Sequence, residues 1–86
     1  MEVTGVKIYP VENNEKLKAF VSVIFDDCFV VKDIKIIKGE KGLFLAMPSK
    51  KDKNGVYKDI AHPLNSEMRE KLERIVIEEY NKTVQQ

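Results

Sequence analysis

Between residues 50 and 58 the sequence sets four lysines, Lys50, Lys51, Lys53 and Lys58, around the turn-forming pair Asn54-Gly55. Ammonium groups gathered in this way neutralise phosphates, and the release of condensed counterions is the main source of sequence-independent affinity for DNA or RNA. Tyr57 lies among them and offers a ring on which a base can stack. An ordinary solvated loop has the same composition, so the cluster by itself defines a candidate phosphate-contacting site and no more.

Residue types that carry catalysis are sparse. His62 is the single histidine, Asp59 precedes it by three residues, and Ser49, Ser66 and Cys28 are the scattered nucleophiles. Acid–base and nucleophilic chemistry need such groups within hydrogen-bond reach of one another, and nothing in their spacing supplies a pair. A structural zinc site takes about four Cys or His ligands, and the chain has two such residues. Asp26-Asp27 lacks a nearby third ligand and reads as a polar turn rather than a magnesium site. Gly39 and Gly42 lack the spacing and following helix of a phosphate cradle. The expectation is a chain without enzymatic activity, metal or cofactor.

With 86 residues, the chain has room for one domain, residues 1–86, and a modest core. Its hydrophobic fraction of 43% and charged fraction of 34% exclude disordered and membrane-embedded classes and fit a soluble globular protein. A net charge of +1 is no electrostatic footprint for nucleic acid, which usually shows as whole-domain basicity. The distribution is more informative, because residues 48–59 set four lysines against two aspartates while the rest is nearly balanced. Cys28 has no partner for an internal disulfide and no apolar stretch approaches the roughly 20 residues of a bilayer span, so a reducing cytoplasm is expected and a membrane partner is not. Small cores are often reinforced by association, which makes a homodimer the expected state.

The elements that must position the basic segment are legible from hydrophobic periodicity. Alternation of apolar and polar residues predicts strands over residues 2–9, with Val6 and Ile8 on one face, and from Leu17 to Phe25, with Leu17, Ala19, Val21, Val23 and Phe25 on one face and Phe20 and Ile24 on the other. Pro10 ends the first, and residues 10–15 form a loop. Asp26-Asp27 predicts a tight hairpin with Cys28 at its corner. In residues 29–38 the apolar set changes face, from Phe29 and Val31 to Ile34 and Ile36, which predicts a bulge or a two-sided strand. Gly39 to Gly42 supplies the next turn, and the run from Leu43 to Met47 reads as a short strand buried on both faces.

Residues 48–55 then read as a polar loop and residues 56–61 as a brief fifth strand. His62-Pro63 stops it, and Asn65 or Ser66 caps a helix. Met68, Leu72, Ile75, Val76 and Tyr80 recur at spacings of three and four and make one apolar stripe. Ile77 falls on the other side, either as a lone exposed residue or as part of a contact with another chain, and residues 83–86 are expected to fray. Strands followed by a single helix give an α+β domain: a small antiparallel sheet of four to five strands and a C-terminal amphipathic helix. One helix covers one sheet face, which leaves the other face or a free edge to a partner, with edge pairing between two first halves the expected dimer contact.

The run Gly42-Leu43-Phe44-Leu45-Ala46-Met47-Pro48-Ser49-Lys50-Lys51, followed by Tyr57-Lys58-Asp59-Ile60-Ala61-His62-Pro63-Leu64-Asn65, resembles the signature of the SpoVG family. The likeness extends back through Val3-Thr4 and Lys18 to Ser22 and forward into the helix, so it spans nearly the whole chain. It implies a small dimeric cytoplasmic α+β protein that binds DNA or RNA as a regulator of gene expression and is linked to division-septum formation and sporulation. It also implies that Lys50, Lys51 and Lys53, which follow Met47-Pro48-Ser49, contact nucleic acid. Many relatives carry arginine at the position of Lys51 and phenylalanine-arginine at Tyr57-Lys58. Lysine keeps the charge but loses the planar fork that reads guanine bidentately, so weaker sequence preference is expected here. In Asp59-Ile60-Ala61-His62-Pro63 the expected role is structural: Asp59 and His62 fixing a corner by hydrogen bonds, and Pro63 stiffening the approach to the helix cap. The alternative is a protein-interaction module acting in septation without direct nucleic-acid contact.

Overall fold

The computed structural model describes residues 1–84. Four strands form an antiparallel meander in the order β1-β2-β3-β4: β1 (Val3–Pro10), β2 (Leu17–Phe25), β3 (Phe29–Gly39) and β4 (Gly42–Ala46). Two short strands, β5 (Ser49–Lys51) and β6 (Tyr57–Asp59), pair with each other in a separate sheet, and α1 (Ser66–Val84) closes the chain. The fold is therefore α+β, as periodicity predicts. The fifth strand exists but does not extend the main sheet, and three of the eight residues of the expected polar loop form strand β5.

Alternation determines which side chains the helix covers. Ala19, Val21, Val23 and Phe25 of β2 point to one face and are buried there with Ile34, Ile36, Leu45 and Met47. From α1, Leu72 and Val76 enter this layer, with Met68 and Tyr80 packed at its margin. Ile75 and Ile77 of the helix are half-buried and lie outside that cluster. Burying the stripe of α1 against the sheet supplies the main driving force, because each fully buried aliphatic side chain contributes about 1.5–3 kcal/mol.

The face change in β3 is a bulge. Val21 stands opposite Ile34 and Val23 opposite Val31, so two residues, Lys32 and Asp33, oppose Ser22. Asp33 takes φ 64°, the left-handed conformation that lets the extra residue fit. Phe29 and Val31 before the bulge, and Ile34 and Ile36 after it, thereby keep to the helix side.

At the β2–β3 turn, Asp26 and Asp27 both have positive φ, matching the twist of a tight hairpin, and the Cys28 N–H donates to the Phe25 carbonyl at 3.0 Å. Thr4 ties this tip to β1, its Oγ1 accepting from the Asp27 N–H at 2.9 Å.

Burial of β4 on both faces is not observed. Leu45 and Met47 are buried, but Phe44 points away from the helix and is exposed, because β4 is an edge strand and no second layer covers the other side. The expected fraying is also corrected in part: Thr83 and Val84 are helical, and the Thr83 hydroxyl donates to the Glu79 carbonyl at 2.9 Å. Gln85 and Gln86 lie outside the described residues. The 19-residue helix α1 is too charged to cross a membrane, and no other helix is described.

Candidate nucleic-acid interface

The basic segment folds as an independent arm. β5 and β6 pair antiparallel with Lys50 opposite Lys58 and Lys51 opposite Tyr57. The Ile60 N–H donates to the Pro48 carbonyl at 2.7 Å and closes the base of the arm. Lys53 occupies the connecting turn, where Gly55 adopts φ 81° and spares a side chain the strain of that conformation.

Asp52 organises the turn. Its Oδ1 accepts the N–H groups of Asn54 at 2.8 Å and Val56 at 2.9 Å, while its own N–H donates to the Val56 carbonyl at 2.8 Å. Its Oδ2 lies 3.6 Å from Lys58 Nζ. The Val56 N–H is the chief cause holding the Asp52 carboxyl below its ordinary value; desolvation opposes it, and the Asn54 N–H and then Lys58 add to the lowering. Sequence reasoning missed Asp52. The signal was an aspartate two residues before Asn54-Gly55, a common side-chain acceptor for turn N–H groups.

The expected site residues are thus brought together, but not on one surface. By strand alternation, Lys50 and Lys58 share one side of the hairpin, while Lys51 and Tyr57 share the other. The stem of Lys51 passes close to Gly55. Lys50, Lys51, Lys53 and Lys58 are all exposed, as is Tyr57, and Lys58 alone of the four has an ion-pair partner among the described residues. Three free ammonium groups and a free ring at the tip and flanks of a short arm can meet a phosphate backbone with little desolvation cost.

At the expected corner, His62 Nδ1 donates to the carbonyl of its neighbour Pro63 at 2.9 Å. The Asp59 carboxylate makes no hydrogen bond among the described residues, although its backbone pairs with Ser49 in the hairpin. Asn65 caps the helix, its Oδ1 accepting the Met68 N–H at 2.7 Å. His62 also borders an apolar cavity of about 120 Å³ between Phe29, Met47 and Met68, and no other titratable side chain lines it. Cys28, Ser49 and Ser66 are not among its lining residues, so nothing nucleophilic faces the imidazole there.

The family model described as SpoVG matches residues 1–82. The chain belongs to the SpoVG family. A relative from an Anaeromyxobacter species is 57% identical over 82 residues, covering 95% of this chain and 84% of the relative. Another, from Caldicellulosiruptor saccharolyticus, is 55% identical and covers 98% and 96% of the two chains. The Myxococcus xanthus relative is 51% identical across 100% of this chain and 86% of its own. All three carry the name "Putative septation protein SpoVG". The SpoVG signature read from the sequence maps onto β4, the arm and the approach to α1, so the family's most recognisable residues surround the hairpin that carries the lysines.

Proposed function

We propose that this SpoVG-family chain acts in the cytoplasm as a homodimeric DNA- or RNA-binding regulator linked to division-septum formation and sporulation, contacting phosphates through Lys50, Lys51 and Lys53 and, when released from Asp52, through Lys58. The observation that carries this reading is the arm itself: four exposed lysines on a two-stranded hairpin that stands apart from the main sheet, with Asp52 committed to the turn. Pairing of β1 edges between two copies would present two arms, and two weak footholds joined rigidly bind far better than one. The link to septation rests on the names of the relatives. The test is binding of labelled DNA and RNA by the purified protein at low and high salt, beside sedimentation to establish the dimer. Binding that weakens steeply with salt supports the proposal, and no binding at low salt rejects it.

A protein-interaction role is favoured by one specific observation. Val56, Ile60 and Leu64 on or beside the arm are 54%, 67% and 91% exposed. Three large apolar side chains left in water within nine residues of chain offer apolar surface that a protein partner would cover. Such contacts weaken far less with salt than phosphate contacts, so the same titration separates the two readings.

A further inference from the structure

The sheet face turned away from α1 carries a second set of residues. By alternation, Tyr9, Phe20 and Phe44 project from it, as do Lys7, Lys32 and Lys35. Tyr9 stands directly opposite Phe20, which stands opposite Lys35, which stands opposite Ala46, so one row crosses all four strands. The rings are exposed by 54% at Tyr9, 37% at Phe20 and 43% at Phe44. Phe44 leans against Gly39, where a Cβ would come within 3.0 Å of its ring, and this contact fixes the ring on the surface. Strand spacing of about 4.8 Å and a rise of about 3.3 Å per residue place Phe44 roughly 12 Å from Phe20 along a diagonal of the face. Aromatic rings spaced over a sheet and interleaved with lysines are what unstacked bases and their phosphates require.

Resting on the nucleic-acid reading of the arm, we infer that this open face is a stacking platform for a single strand of DNA or RNA, with Tyr9, Phe20 and Phe44 receiving bases and Lys7, Lys32 and Lys35 facing phosphates. Charge selects this occupant over a second copy of the chain. Lys7, Lys32 and Lys35 share the face with Asp33 at the bulge, and around Phe44 the surface adds Lys16, Lys18 and Lys38 against Glu15 and Glu40, so positive charge is in excess and two such faces brought together would oppose like charges. The platform is continuous with the arm, since Ala46 of its central row and Lys50 are four residues apart, a reach of at most about 14 Å. A strand lying across the face therefore comes within range of the arm's lysines.

The test uses a labelled twelve-nucleotide single strand and the corresponding duplex, with the parent protein, a Phe20→Leu, Phe44→Leu double variant, and a variant with Lys50, Lys51 and Lys53 changed to alanine. Leucine keeps the face apolar and the fold intact, as thermal unfolding would verify, but removes the π surface. Each lost stack is expected to weaken single-strand binding by roughly 5- to 150-fold, with duplex affinity changed by less than about 2-fold. Equal single-strand affinity for the double variant and the parent would overturn the platform while leaving the arm in place, provided the lysine variant still lost binding. A loss of dimer in the double variant, with single-strand binding retained, would assign the face to a second copy and overturn the platform likewise. Failure of the parent to bind either probe at low salt would reject the reading of the arm, and the platform with it.

Discussion

Replacing Asp52 with asparagine is expected to tighten nucleic-acid binding without opening the arm. Asparagine keeps an Oδ1 that can accept the Asn54 and Val56 N–H groups, now at 2.8 and 2.9 Å, so the turn survives. It removes the negative oxygen that holds Lys58 Nζ at 3.6 Å, and Asp59 becomes the single acid among four arm lysines. Freed, Lys58 can neutralise one more phosphate. Each phosphate neutralised on duplex DNA steepens the dependence of log K on log salt by about 0.9, which amounts to an additional loss of about 3.5-fold between 50 and 200 mM salt. Fluorescence anisotropy of a labelled duplex, titrated at several salt concentrations, measures both slope and affinity. The Asp52→Asn variant is expected to bind more tightly than the parent at the lowest salt and to show the steeper slope. An unchanged slope in a variant whose Val56 amide remains protected from exchange would refute the assignment of Lys58 as a latent phosphate contact.

Other outcomes follow from the same contacts. Because the Asp52 carboxyl titrates below its unfolded value, its contribution to the arm is fully present above about pH 4 and is lost as pH falls through the depressed folded value; protection of the Asn54 and Val56 amides, followed by NMR, is expected to hold from neutral pH to about pH 5 and to fall in stronger acid. Constant protection down to about pH 2 would contradict this. Asn65→Ala removes the cap on the Met68 N–H and is expected to cost about 1 kcal/mol, seen as a melting point lower by about 4–8 °C, whereas Asn65→Asp is expected to melt near the parent. Asp33→Val forces a β-branched residue into φ 64° and is expected to cost about 1–2 kcal/mol in chemical denaturation, with Asp33→Gly showing no such loss.

Much of the fold was legible because one face of each main strand is buried or half-buried against the core. Period-two alternation in β2 and the change of face in β3 are direct consequences of packing against α1; the shift between Val31 and Ile34 left a bulge or a two-sided strand open, and the pairing with β2 places the bulge at Lys32 and Asp33. The arm was less legible. Its strands are three residues each and fully exposed, so no apolar pattern marks them, and the backbone pairing depends on Asp52 and Gly55 rather than on burial. Phe44 was misread for the opposite reason: an aromatic in an apolar run suggests a core, whereas its place on an edge strand with no second layer leaves it in water. The lysines were visible as a cluster, but their division between two sides of a hairpin appears only once Lys50 is paired with Lys58 and Lys51 with Tyr57.

The measurement that tests the central claim most directly is binding of the parent protein and the Lys50, Lys51 and Lys53 triple alanine variant to labelled DNA and RNA across a salt series. The arm accounts for phosphate contact if parent affinity falls steeply with salt and the variant, still folded by thermal unfolding, loses most of its binding and shows a slope shallower by about 2–3 on duplex DNA. A variant that binds as tightly as the parent, with the same slope, would contradict the account.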